Sequence, residues 1–153
     1  MIATAVIRPA RAEDWSRIES LLSAEGLPTN DISAASAADF IVAVDAGQVV
    51  GMVAVERYGR HGLQRSLVVA AAWRGAGLGR ALVAAAERAA ASSNLESLTL
   101  LTQTVAPFSR LLGYRDIARA DAQPAVRASA EFTHLCPVSS TCMTKIISRT
   151  TNA

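Results

Sequence analysis

The stretch VVAAAWRGAGLGRALVAAAERAA, Val68 to Ala90, decides how the chain is read. It opens as an apolar, strand-like run and ends as an alanine-rich segment of high helix propensity over Ala81 to Ala91. Between them stand Gly75, Gly77 and Gly79, flanked by Arg74 and Arg80. Glycine permits positive φ and lets a ligand approach the backbone. A glycine loop that opens a helix leaves amide groups aimed outward, and the helix dipole adds partial positive charge. Such a loop suits an anion, a pyrophosphate above all. The flanking arginines can add charge-assisted hydrogen bonds. A strand-to-helix turn that binds nothing is the plain alternative.

The common nucleotide signatures do not fit. No Gly-Lys-Ser/Thr follows, as a Walker loop needs. A dinucleotide fingerprint needs G-x-G-x-x-G, but Gly75-Ala76-Gly77 meets Arg80 at its last place.

Working outward, "TAVIRPA" reads as a strand stopped at Pro9. "RAEDWSRIESLLSAEGLP" carries a helical stripe of Trp15, Ile18, Leu21 and Leu22, ending at Gly26 and Pro28. "FIVAVDAGQVVGMVAVERYG" reads as two strands around Asp45-Ala46-Gly47, and "HGLQRSLVVAA" as a third. After the glycine loop come a strand "LESLTLLT", a short helix "APFSRLLGY", a strand at "YRDIAR" and a last strand near Cys142 to Ile147. The order β-α-β-β-β-α-β-α-β-β predicts an α/β fold on a mixed, mostly antiparallel sheet with helices on both faces. One domain over residues 1–147 and a flexible tail over 148–153 are expected.

Bulk properties narrow the function. The 153 residues are 51% hydrophobic and 18% charged, which suits a globular domain and not a disordered chain. Fifteen basic and 13 acidic residues leave a net charge of only +2, with no Lys/Arg run, so nucleic acid is not an expected partner. Lys145 is the sole lysine; arginine favours planar, bidentate anion contacts. No apolar run spans a membrane, and charge comes too early for a signal peptide, so no membrane partner and a cytoplasmic location are expected. Cys136 and Cys142 form neither a disulfide framework nor a zinc site, and both are expected to be buried. A metal at His134 is not expected.

The stretch from Leu67 to Ala90 resembles the acetyl-CoA-binding motif of the GNAT superfamily of N-acetyltransferases, Q/R-x-x-G-x-G/A, with Arg74, Gly77 and Gly79 in place. "APFSRLLGY" resembles the second motif of that family, A-x-x-F-Y-E-K-x-G-F, and the element order matches over nearly the whole chain. The resemblance implies acetyl-CoA as co-substrate. It implies that Leu67, Val68 and Val69 pair with the acetyl and pantetheine arm. It implies that the amides of Arg74, Gly75, Ala76, Gly77, Leu78, Gly79 and Arg80 hold the pyrophosphate. It also implies that the strands "GQVVGMVAVE" and "LQRSLVV" splay apart to admit the cofactor arm.

Transfer to an amine needs a neutral nucleophile, so a base helps. Glu56, at the end of an apolar strand, is the candidate base; a solvated strand-end charge beside Arg57 is the alternative. The position where the family often places a tyrosine as general acid is Ser109, which either hydrogen-bonds the sulfur or is a plain helix-start serine. A thiol of pKa about 8.5 leaves without full protonation, so activity does not require the tyrosine. Tyr114 is expected to pack. Alternation puts Leu63, Arg65, Leu67 and Val69 on one strand face. Arg65 there either holds a substrate carboxylate or pairs with Glu56 across the strands. Arg57, Arg60 and His61 can widen an anion site, or lie at the surface. Thr133 and His134, in "EFTHLCPVSSTCM", either line the acceptor pocket or form a satisfied polar turn.

The residue chemistry points to a small or peptide amine, with a carboxylate in the first case. "ERYGRHGLQRSLVVAAAWRGAGLG" and "HLCPVSSTCMTK" resemble a bacterial subgroup of small acetyltransferases associated with arsenic resistance. That resemblance implies acceptors such as arsinothricin or phosphinothricin, both glutamate analogues. Glutamate itself, a peptide, or no turnover at all in a non-catalytic acyl-CoA-binding module are the alternatives. A homodimer is compatible with an exposed strand edge near the C-terminus.

Overall fold

The hairpin around Ala46-Gly47 sets the pattern of the first half. Both residues have positive φ, 50° and 78°, the mirror-image turn whose twist matches that of paired strands. It joins β2 (Phe40–Asp45) to β3 (Gln48–Tyr58). The register slips between Ala43 and Val44, where Val50 is the extra residue of a bulge. The computed structural model describes residues 5–27 and 29–147. The tail expected over 148–153 and the helix stop expected at Pro28 lie outside the described residues.

The remaining strands are β1 (Val6–Pro9), β4 (His61–Val69), β5 (Ser97–Thr102), β6 (Arg115–Ile117) and β7 (Thr141–Ile146). They hydrogen-bond in the order β1-β2-β3-β4-β5-β7-β6. β4 and β5 pair in parallel, whereas β1–β2, β2–β3, β5–β7 and β6–β7 pair antiparallel. The helices are α1 (Trp15–Ala24), α2 (Leu78–Ser92), α3 (Ala106–Leu111) and α4 (Pro124–Arg127). The expected mixed, mostly antiparallel α/β fold is present, with α4 and several single turns added to the expected order.

Two compact units divide the chain. The first takes the chain up to Val55 and Ser66–Ala86; the second takes Glu56–Arg65 and the chain from Glu87 on. In the first, Ile18, Leu21 and Leu22 of α1 pack on Phe40, Val42, Met52, Ala54 and Val68. Trp15 meets Phe40 edge-on at 5.9 Å. This is the stripe read from the sequence, buried as one face.

In the second unit, β7 pairs with both β5 and β6. A polar network lies beside this sheet. Tyr114, 3% exposed, accepts a hydrogen bond from Gln64 Nε2 at 2.9 Å and donates to Glu87 at 3.0 Å. Lys145 donates to both Glu87 oxygens and to the Leu112 carbonyl. Burial, then the charge of Glu87 and its hydrogen bond, hold the Tyr114 hydroxyl far above its ordinary range. It stays a neutral donor, which agrees with the packing role expected of it.

Two expectations about β4 need correction. Ser66 has φ +60°, so the strand kinks there, and simple alternation does not continue from Arg65 to Leu67 and Val69. Beyond the kink it is Val68 that is buried, with Leu67 and Val69 half-buried. Nor do β3 and β4 separate: they are hydrogen-bonded neighbours. The short partnership is on the other side of β4, where pairing with β5 covers His61↔Ser97, Gly62↔Leu98 and Leu63↔Thr99.

Candidate active site

The glycine loop lies in the first unit. After β4, a single 3-10 turn over Ala71–Trp73 leads to Gly75 (φ +81°) and Gly77 (φ +89°). These two positions demand glycine; Gly79 is in the first turn of α2 with no positive φ. The Gly77 carbonyl accepts from Ala81 N at 3.1 Å, the first backbone bond of the helix. The amides of Leu78, Gly79 and Arg80 therefore precede the intrahelical ladder. A Cβ placed on Gly75 meets nothing within 4 Å, so the space above the loop is open. Orphan amides, two left-handed glycines and the positive end of a 15-residue helix fit a pyrophosphate.

The flanking arginines differ. Arg74 Nε donates to the Val69 carbonyl at 3.0 Å, and its Nη2 meets Glu25 at 2.9 Å. Arg74 thus ties the loop to the end of β4 and to the residue after α1. Arg80 is exposed in the first turn of α2.

The candidate catalytic groups lie in the second unit. Glu56 has a side chain 16% exposed. Tyr58 donates its hydroxyl to Glu56 Oε1 at 2.8 Å, and Arg65 Nη1 reaches Oε2 at 3.2 Å. The carboxylate is oriented at both oxygens, unlike a solvated strand-end charge. Arg57 is exposed and, by strand alternation, on the opposite face from Glu56 and Tyr58.

Arg65 is 1% exposed in its side chain and bridges two carboxylates, Glu56 and Glu131, each at 3.2 Å. Of its two readings, the cross-strand pairing with Glu56 is the one in place. Glu131 was absent from the sequence-derived site. It opens a single π-helical turn, Glu131–Leu135, closed by Cys136 N donating to the Glu131 carbonyl at 3.0 Å. The Cys136 thiol also donates to the Glu131 side chain. Burial first, then the charge of Glu131, push this thiol up to about 11. Cys136 is only half-buried, contrary to expectation, whereas Cys142 is buried.

The other candidates disperse. Ser109 is 4% exposed and fourth in α3, whose N-cap is Val105, so it is not a helix-start serine. Thr133 and His134 are exposed and bonded to each other, Thr133 Oγ1 to His134 Nδ1 at 2.8 Å. Thr133 also donates to the Ser129 carbonyl, so these two form a polar turn bonded within itself. Arg60 pairs with Glu96, and His61 Nδ1 bonds Ser97 Oγ at 2.9 Å. Both line a groove with Thr99, Arg115 and Thr144, and neither extends an anion site at Arg57.

Residues 36–116 match the family model of the acetyltransferase (GNAT) domain, more than half of the chain. The chain belongs to the GNAT acetyltransferase family. Solved GNAT structures share the fold. N-acetylglutamate synthase from Neisseria gonorrhoeae, complexed with coenzyme A and N-acetyl-glutamate, matches with TM-score 0.83 at 17% identity. That match covers 97% of this chain and 36% of the synthase, so this chain spans about a third of the synthase. Rv2747 from Mycobacterium tuberculosis, in complex with CoA and NLQ, matches with TM-score 0.78 at 23% identity over 92% of this chain and 98% of that one. Arabidopsis thaliana Naa50, in complex with the bisubstrate analogue CoA-Ac-MVNAL, matches with TM-score 0.70 at 17% identity, covering 94% and 99%. No curated protein matches the chain by sequence. Among the described residues no helix is long and apolar enough to cross a membrane.

Proposed function

We propose that this GNAT enzyme acetylates the α-amine of a small amino-acid-like acceptor, with Glu56 as the base. The observation that carries the reading is the Glu56 carboxylate, held by Tyr58 and Arg65 yet open at its edge. Acetyl-CoA supplies an activated thioester carbonyl. Leu67, Val68 and Val69 align its arm, and the amides from Arg74 to Arg80 hold its pyrophosphate, with Gly75 and Gly77 admitting close approach. Glu56 takes the proton of the acceptor's ammonium, directly or through water, and frees the lone pair for attack. The N–C bond forms as the C–S bond breaks; the sulfur leaves as thiolate, and the second proton of the nitrogen passes to that thiolate or to water, leaving the neutral amide. Tyr114 is buried and held neutral, and Ser109 is buried, so neither is asked to act as an exposed acid.

A glutamate analogue such as arsinothricin or phosphinothricin is the acceptor we favour, which places the enzyme in arsenic or antimetabolite resistance. The N-acetyl-glutamate bound by the gonococcal synthase supports an amino-acid acceptor. Arg57 lies on the opposite face of β3 from Glu56, so the acceptor's carboxylate is not assigned to it. The bisubstrate peptide of Naa50 favours a second reading, a peptide α-amine.

Thiol release from acetyl-CoA with glutamate, phosphinothricin, arsinothricin, polyamines and short peptides tests the reading. Release confined to the amino-acid acceptors is expected. Glu56→Gln should lower kcat by roughly 10²- to 10⁴-fold with acetyl-CoA binding retained. Release with no amine, or unchanged kcat in Glu56→Gln, would overturn it.

A further inference from the structure

Glu56, Arg65 and Glu131 form one buried cluster in the second unit with an unusual balance: two carboxylates on one guanidinium. Arg65 is enclosed at 1% side-chain exposure and Glu131 at 5%; Glu56 alone, at 16%, meets solvent. A buried arginine has to be paired, but one carboxylate would suffice for that. The second carboxylate sits on a different edge of the fork. Nη1 meets Glu56 and Nε meets Glu131. A guanidinium is planar and rigid, so fixing its Nε edge fixes the direction in which Nη1 points. The backbone around Glu131 is specialised as well. A π-helical turn is rare and concentrates at functional sites, and here it begins at Glu131. The Cys136 thiol donates to the same carboxylate and is kept in its neutral, donating form first by burial and then by the charge of Glu131.

We infer that Glu131 is a positioning residue for acetyl transfer, acting through Arg65 to hold Glu56 in its working orientation. The inference rests on Glu56 as the base proposed above. Glu131 takes no proton and touches no substrate. Its charge keeps Arg65 from being wholly committed to Glu56. The open end of the cluster is the Glu56 carboxylate, where an ammonium is the complementary group. Arg65 is therefore part of the machinery that receives the amine and not a holder of the acceptor's carboxylate.

The test uses the full chain and the best acceptor found, whichever it is. Glu131→Gln should lower kcat about 10- to 100-fold, the scale of a misplaced catalytic group, with the KM for acetyl-CoA unchanged. Glu131→Asp should recover part of the loss. Arg65→Lys keeps the charge but not the fork and should lose as much as Glu131→Gln. Combining Arg65→Lys with Glu131→Gln should add less than about twofold, because the two act in series. A purely structural Glu131 would lower the urea midpoint and leave kcat per folded molecule intact, which overturns the inference. Additive losses in the double variant overturn it too. If only peptides accept, the acceptor reading fails while the Glu131 test still stands. If no amine accepts, the cycle is read in urea denaturation with Glu56→Gln and Glu131→Gln. Coupled midpoint shifts that vanish in an Arg65→Met background are then expected, and additive shifts overturn the inference.

Discussion

At the scale of single residues, Asp14 is a carboxylate held outside the candidate site. It accepts from Arg8 at 2.8 and 3.2 Å and from the Arg11 amide at 2.7 Å, with a side chain 9% exposed. The Arg8 hydrogen bond, joined by the Arg11 amide and by the charges of both arginines, outweighs burial and lowers its pKa. A depressed carboxylate stabilises the fold above its unfolded pKa of about 3.9, and that contribution fades as pH falls through the lower folded value. Asp14→Asn should cost about 2 kcal/mol at pH 7, as expected for hydrogen bonds to a charged group. The gap to wild type should narrow steadily below about pH 4. Urea denaturation at pH 7 and pH 3 checks this; an equal gap at both would show that the charge is not what matters. The Tyr58 contact with Glu56 was legible in principle, since residues two apart share a strand face. The Arg65–Glu131 pair was not, because nothing local links β4 to a turn near the end of the chain.

At the scale of elements, Gly51 shows how β3 accommodates α2. A Cβ there would lie 3.0 Å from Leu82 Cδ1, 3.1 Å from the Val68 carbonyl and 3.4 Å from Leu78 Cδ2. The carbonyl is backbone of β4 and cannot swing aside as a side chain would. Gly51→Ala should therefore cost about 1–3 kcal/mol, the usual range for overpacking. Displacement of the first turn of α2, which carries Leu78, would also raise the KM for acetyl-CoA. Measured stability equal to wild type would mean that helix and strand separate more easily than the packing implies. The elements themselves were legible because their signals are local: the glycines before α2, the apolar runs of β2 and β3 around the Asp45-Ala46-Gly47 turn, and the stripe on α1. The kink at Ser66 was hidden, because a serine within an apolar strand carries no mark of a left-handed φ. That one torsion overturned the face assignment made for Leu67 and Val69. The π-helical turn was hidden as well, because the sequence of Glu131–Leu135 carries no local mark of it.

At the scale of the whole molecule, the proposed donor site is written more locally in the sequence than the proposed acceptor site. A pyrophosphate is recognised by backbone, so its site is written in contiguous glycines and a helix start. An acceptor is recognised by side chains from distant segments, and Arg57, Thr133 and His134 did not converge with Glu56 as bonded neighbours. Ligand linkage tests the donor half directly. A ligand that binds only the folded chain stabilises it by mass action, about 2.7 kcal/mol at a concentration 100 times its Kd. For a chain of 153 residues that amounts to a rise in Tm of roughly 5–10 °C. Acetyl-CoA should produce such a rise, whereas NAD and ATP should produce little, since the loop lacks both the dinucleotide spacing and the Walker lysine. Replacing Gly75 by alanine places a side chain at φ +81°, where L-residues are strained, and into the open space above the loop. The acetyl-CoA-induced rise should shrink in that variant while the unliganded Tm falls only slightly. An equal rise with NAD, or an undiminished acetyl-CoA response in Gly75→Ala, would show that the glycine loop does not hold the pyrophosphate.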